Sequence, residues 1–199
     1  AAYDLIEDAM FVNLPASIGR VPTAENSHLV SAMQAEDKYD AVPDYLQELD
    51  AFEDYILDHD KAMKKQPDKY FDHVCEITRA RRAFAREAVE EYDPTVGFVL
   101  FSTPDWAGHL LSNFSDDETR GNYYEQLLTV VDNCTADLAD MADNVVLMSD
   151  HGFEYKHANL HLNDWLHDQG YLAERETGES AAGLAVRVAN AVGRRSDRA

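Results

Sequence analysis

Two acid–imidazole pairs stand out in the sequence, Asp105 with His109 and Asp150 with His151. The first pair is spaced four residues apart, which on a helical turn puts carboxylate and imidazole on one face. The second pair is adjacent, so in a strand its side chains would point to opposite sides. Only a turn lets both face one pocket, and Gly152 permits such a turn. A carboxylate with an imidazole suits zinc or manganese. Neither pair alone identifies a metal site. The second reads as readily as a loop Asp capping a turn beside a surface His. What joins them is their setting, because each follows an apolar run.

The run "TVGFVLFS" (95–102) is continuous and apolar, the pattern of a strand buried on both faces. "NVVLM" (144–148) repeats the pattern just before Ser149-Asp150-His151-Gly152. Between them "DDETRGNYYEQLLTVVDNCTADLADMA" (116–142) predicts a long amphipathic helix with acids in its first turn, as the helix dipole favours. Strand, helix, strand with both strands apolar predicts a parallel α/β sheet. Ligands of such sheets bind beyond the carboxyl ends of the strands, where both pairs fall. If the strands lie close, all four side chains converge on a metal or phosphate site.

Upstream, residues 3–9 read as the end of a helix and 10–14 as a short strand. Pro15, Gly19, Pro22 and Asn26 predict an irregular stretch over 15–40. Residues 43–91 are read as mostly helical. Tyr45, Leu49, Phe52, Ile56 and Leu57 share one face, and Val74, Ile77, Ala80, Phe84 and Val89 continue the stripe. Arg79, Arg81, Arg82 and Arg86 are read as a solvated face pairing with nearby acids. "HLNDWLHDQGYL" predicts a short helix closed by Gly170, with Trp165 in the core, and 181–193 a small-residue helix.

The chain has 199 residues, 38 acids and 17 bases, for a net charge of −21. That balance excludes binding to a nucleic-acid duplex through a basic face. Only six of the bases are Lys. An acidic, Lys-poor surface fits a protein that works in concentrated salt, and a halophilic archaeal source is expected. No apolar run approaches the length of a membrane span. The opening "AAYDLIEDAM" is no secretory signal and reads as the inside of a helix, so the chain is expected to be part of a longer one. Cys75 and Cys134 have no metal-ligand spacing; two buried thiols in a reduced, cytoplasmic protein are the expectation, with a disulfide as the alternative.

"VVLMSDHGF" followed by "HLNDWLHDQGYL" resembles the alkaline phosphatase superfamily, in its type I phosphodiesterase and nucleotide pyrophosphatase branch. There a Ser-Asp-His-Gly-Phe loop precedes an Asn-x-Trp-Leu…Gly-Tyr-Leu segment. "FVLFSTPDWAGHLL" resembles the family's strand followed by Asp-x-x-x-His, and "YYEQLLTVVDNCTADL" its long helix with a mid-helix Asp, here Asp132. "FVNLPASIGRVPTAENSHLVSAM" resembles it more loosely, with His28 where Gly is usual. The resemblance covers roughly residues 10–172.

It implies a three-layer α/β/α catalytic domain with a mostly parallel sheet, present here as an incomplete domain over 1–199, with 43–91 as a helical cap-like insertion that helps choose the substrate or is a plain structural layer. It implies two divalent metal ions, zinc first and manganese or magnesium next. Asp105 and His109 resemble two ligands of one, Asp150 and His151 two ligands of the other. The implied reaction is metal-dependent hydrolysis of a small phosphodiester or nucleotide pyrophosphate. A phosphomutase, a sulfatase, or a non-catalytic acidic module are the alternatives. The family's nucleophile, a further Asp ligand and a distal His ligand have no counterpart in this sequence. Thr103 and Ser149 lie near the pairs but do not match the nucleophile's place, so the chain alone is expected to be inactive. His157 and His161 are candidate replacements for the missing His. Trp106 could line a substrate pocket or pack in the core.

Overall fold

The computed structural model describes residues 4–15, 17, 19–32, 35–114, 116–154 and 160–172. They fall in two compact units, Ala1–Tyr155 and Lys156–Ala199.

In the first unit three strands form an all-parallel sheet in the order β2-β1-β3, with β1 at Ala9–Pro15, β2 at His28–Ala32 and β3 at Val96–Val99. The architecture is α/β, as the apolar pattern predicts. β1 is central and almost wholly buried. A bulge between Phe11 and Leu14 shifts its register against β2, and Asn13 takes a left-handed backbone there, at φ 63°. One turn of helix, α1 (Lys38–Ala41), and 3-10 turns at Asp44–Glu48, Asp50–Phe52 and Lys61–Lys65 lead to α2 (Pro67–Tyr92). Pro67 sets the first helical φ of α2, and Asp93 ends it in a left-handed conformation before Pro94. α3 (Thr103–Leu111) follows β3 directly. α4 (Asp117–Ala139) is capped by Asp116, whose carboxylate accepts from the backbone N–H groups of Glu118 and Thr119.

The core has two main parts. Met10, Val12 and Val30 on one sheet face meet Leu46, Phe52, Tyr55 and the Phe84–Ala88 end of α2. The other half of α2 packs Tyr70, Phe71 and Val74 against α3 and α4 through Leu111 and Leu127. The opposite sheet face carries Ala9, Phe11 and Leu29, and no described helix joins that cluster.

Several expectations need correction. Residues 144–148 form no strand. Val146, Leu147 and Met148 are 85%, 81% and 73% exposed, and no described strand pairs with them. An apolar run becomes a strand only where a neighbour satisfies its backbone. β3 is an edge strand rather than one buried on both faces, because only β1 pairs with it. β2 falls inside the stretch read as irregular; the breakers Pro15 to Asn26 mark the crossover, and the strand starts after them. Of the stretch read as a helix end, Asp4 lies in a 3-10 turn, residues 5–8 are irregular, and Ala9 already belongs to β1. Over 43–65 the helical stripe gives way to 3-10 turns, so Leu46 and Tyr55 are buried while Tyr45 is exposed. Arg82 and Arg86 do pair with Asp137 at 3.2 Å. Arg81 does not belong to that solvated face: it is fully buried. Cys75 and Cys134 are buried free thiols.

In the second unit the described residues form α5 (Leu162–Asp168), closed by Gly170 at φ 77°, whose N–H donates to the His167 carbonyl at 2.9 Å. Trp165 there is 48% exposed rather than core. His157 and the helix expected at 181–193 lie outside the described residues. No described helix is long and apolar enough to cross a membrane.

Candidate functional site

The site is built from the carboxyl end of β3 upward. The chain leaves β3 at Val99, and Leu100 stays anchored to β1: its N–H donates to the Val12 carbonyl at 3.1 Å, and its own carbonyl accepts from Asn13 Nδ2 at 3.2 Å. Three residues on, α3 begins. Its first residue, Thr103, is buried and shares a 2.7 Å hydrogen bond with the Thr78 hydroxyl of α2. The Ser102 hydroxyl just before it accepts from Arg81 Nη1 at 2.7 Å. These contacts fix where α3 starts, and thus where its side chains point.

Asp105 sits in the first turn of α3 and His109 in the last, each at the end its charge prefers. The expected i,i+4 pair forms, with His109 Nε2 3.5 Å from Asp105 Oδ1, and both side chains are well exposed. Asp150 and His151 lie on a loop with no regular structure. His151 Nε2 is 3.7 Å from Asp150 Oδ2. His151 Nδ1 is 2.8 Å from the Gly152 carbonyl, which can only accept, so Nδ1 carries a proton and Nε2 is the basic nitrogen of the neutral ring.

Phe153 brings the two pairs together. Its ring meets the His109 ring edge-on, with centroids 5.4 Å apart. It also lies over Gly108, where a Cβ would come within 2.7 Å of the ring. The loop is thereby docked on α3. The Gly152 carbonyl first, then the charge of Asp150 and, more weakly, that of Asp105, hold His151 protonated to higher pH than an ordinary histidine. Among the described residues no group of three or more Asp, Glu, His or Cys side chains is arranged around one point. Each pair offers one carboxylate and one imidazole, donor types that suit divalent ions, and the two pairs do not form one ligand cluster.

Behind α3 lies a buried polar layer that helix periodicity and spacing did not single out. Trp106 is half-buried, with the His59 ring 4.3 Å away edge-on and the Arg81 guanidinium 5.0 Å from its ring centroid. Arg81 Nη2 donates to the Leu57 carbonyl at 2.6 Å, while its Nε is buried with no partner. Burial pulls the pKa of Arg81 down, against the raising influence of Tyr55 and Asp58. The Tyr70 hydroxyl shares a 2.9 Å hydrogen bond with His59 Nδ1 and lies 3.4 Å from the Trp106 carbonyl. Burial, and then the charges of Asp58 and Asp105, push the Tyr70 pKa up. One signal was legible: Arg81 falls on the apolar stripe of α2 that carries Val74, Ile77, Thr78, Phe84 and Ala88. His59 carried no such signal, since it lies between elements.

Of the other expected residues, Thr103 has its hydroxyl engaged as above. The Ser149 hydroxyl donates to the His151 carbonyl at 2.5 Å. His161 precedes α5 in the second unit, exposed. His28 opens β2, bonded to the Tyr45 hydroxyl at 3.0 Å and 4.4 Å from the Tyr92 ring.

No curated protein and no solved structure matches the chain significantly. A family model does, over residues 10–199, nearly the whole chain. By that match the chain belongs to the type I phosphodiesterase / nucleotide pyrophosphatase family, the branch that its Ser-Asp-His-Gly-Phe loop resembles.

Proposed function

We propose that this site acts on phosphodiesters or nucleotide pyrophosphates with the help of two divalent metal ions, zinc first and manganese or magnesium in its place. Asp105 and His109 would hold one, Asp150 and His151 the other. Such ions, when bound, supply Lewis acidity at a phosphoryl oxygen and offset phosphate charge. The observation that carries the reading is the docking of the Asp150-His151 loop onto α3 through Phe153. It puts two acid–imidazole pairs side by side, beyond the carboxyl end of a parallel sheet, in a member of a phosphodiesterase family.

The chain's own residues have separable tasks. The Gly152 carbonyl keeps the His151 Nδ1 proton and orients the ring, so that Nε2 is the ligand nitrogen. Phe153 packs edge-on against His109 and so holds its own loop on α3. Trp106 backs the Asp105 turn. Neither nearby hydroxyl is free to attack phosphorus: Thr103 is buried against Thr78, and Ser149 is bonded to the His151 carbonyl. The chain by itself is therefore expected to bind metal and phosphate while turning over a diester weakly or not at all.

The test is metal loading followed by melting. At zinc one hundredfold above Kd, each bound ion is expected to stabilise the fold by about 2.7 kcal/mol. For a chain of this length that is a rise in Tm of roughly 5–10 °C per ion. Elemental analysis is expected to give two ions per chain, one in Asp105→Ala and one in Asp150→Ala, and none in the double variant. A wild-type melting curve unmoved between zinc and chelator rejects the reading.

A further inference from the structure

The helix that carries Asp105 and His109 does not cap itself. Ser102 stands at the N-cap of α3, where a serine hydroxyl ordinarily accepts from the backbone N–H two or three residues on. Two residues on is Pro104, which has no N–H, so the Asp105 N–H is the partner left. Ser102 makes no capping bond from its side chain. Its hydroxyl accepts from Arg81 Nη1 at 2.7 Å instead. The cap of α3 is thus given over to a residue of α2.

Arg81 is fully buried, and among the described residues it forms no ion pair. Its Nη2 donates to the Leu57 carbonyl at 2.6 Å, and its guanidinium lies 5.0 Å from the Trp106 ring centroid. Ser102 comes three residues before Asp105 and Trp106 one after it. One guanidinium therefore touches α3 on both sides of Asp105, and Leu57 anchors the guanidinium from a third element. A buried cation without a carboxylate is costly, and an apolar side chain of similar volume would avoid that cost. Stability alone does not account for an arginine here. What the planar guanidinium supplies is direction, because its N–H groups meet their acceptors at fixed angles.

We infer that Arg81 is a positioning residue for the Asp105–His109 pair. It withholds the Ser102 hydroxyl from the Asp105 N–H and sets the first turn of α3 by reference to α2 and Leu57, so that the pair is presented in one orientation. The inference rests on the proposed function only for what the pair binds.

Amide hydrogen exchange, followed by NMR on the full chain with chelator, tests the hold on Ser102. In Arg81→Met the released hydroxyl is free to cap the helix. The Asp105 N–H is then expected to exchange about fivefold more slowly than in the wild type, although the fold as a whole is no more stable. Adding Ser102→Ala to Arg81→Met is expected to abolish that gain. Val30→Ala, a truncation in the core on β2, is expected not to slow Asp105. Exchange at Asp105 that is unchanged or faster in Arg81→Met overturns the inference. Zinc titration tests the consequence. With Asp150→Ala in every chain, so that only the α3 pair loads, Arg81→Met is expected to bind zinc about tenfold more weakly, at a temperature where all variants are folded. Equal affinity overturns the positioning role. Absence of zinc uptake by the Asp150→Ala chain itself rejects the metal reading, and the exchange at Asp105 then decides the hold of Arg81 by itself.

Discussion

Replacing Gly108 by Ala should separate the stability of the fold from the assembly of the site. Gly108 lies inside α3, where glycine costs about 1 kcal/mol relative to alanine. A methyl group there would lie 2.7 and 2.9 Å from two ring carbons of Phe153 and 2.7 Å from the Tyr124 hydroxyl, too close for any of them to stay. All three atoms are outer ends of side chains, so the conflict is relieved by movement rather than by distorting the helix. Phe153 is 38% exposed, on a loop without regular structure, and is the group that yields. Undocking it forfeits part of the roughly 1.5–3 kcal/mol of a buried Phe, about 1.5 kcal/mol here. Gain in helix propensity and loss of docking nearly cancel, so the melting temperature should change by less than about 3 °C. The loop should change far more. Loss of about 1.5 kcal/mol of docking raises the opening equilibrium of residues 150–153 about tenfold, and amide hydrogen exchange reads that directly. Exchange at 150–153 equal to wild type, with unchanged stability, would refute the docking role of Phe153. A drop in stability of several kcal/mol would refute the claim that only the loop yields.

Arg81→Ala should cost about 3–5 kcal/mol, because it leaves a cavity and strips the Ser102 hydroxyl and Leu57 carbonyl of their donors. Arg81→Met, which fills the space and removes a buried cation with an unpartnered Nε, should cost less than about 2 kcal/mol by urea denaturation; equal losses in the two variants would contradict this reading. Burial lowers the pKa of His59 and of His28, so the unfolded chain binds protons there first. Their stabilisation is complete above about pH 6.5 and is lost as pH falls through the lower folded values. Around His59, Asp58 opposes this shift while Lys64, Lys61 and His73 reinforce it. His59→Gln should flatten the pH dependence of Tm between about pH 6.5 and 5, and an unaltered slope would count against it. Gly170→Ala should destabilise α5 by about 1 kcal/mol, since φ there is 77°, and circular dichroism of the melting chain measures it.

How much of this was legible in the sequence depended on whether the signal was local. α4 begins where an Asp cap and two acids announce it, and α2 ends where Asp93-Pro94 forbids continuation. The i,i+4 spacing of Asp105 and His109 survives intact on α3 because a helix fixes both residues by one local rule. Strand assignment is different, because a strand exists only by pairing. Residues 95–102 and 144–148 are equally apolar, yet one pairs with β1 and the other stands exposed. Periodicity contains no term for the partner. The same limit hid Arg81. Its charge suggested solvent while its place on the stripe suggested core, and the stripe prevailed because Ser102, Leu57 and Trp106 supply what water would have. His59 and Tyr70 meet across eleven residues and a change of element, beyond the reach of any local rule.

A net charge of −21 sets the physical problem that the candidate site has to solve. A phosphate ester approaching such a chain meets repulsion almost everywhere, and salt weakens that repulsion without reversing it. Binding therefore requires cations concentrated at one place. The buried guanidinium of Arg81 is committed to Ser102 and Leu57 and is fully covered, so it serves the architecture of α3 rather than the ligand. Arg82 and Arg86 are neutralised by Asp137 and Glu90 together. What remains near α3 is two acid–imidazole pairs, which on the proposed function would become positive centres by taking up metal. On that reading anion affinity depends on metal supply, and loading releases protons. Anion affinity measured with chelator and then with zinc should thus rise on addition of zinc, and Asp105→Ala with Asp150→Ala should remove the rise. An affinity equal with and without zinc in the wild type would contradict the reading.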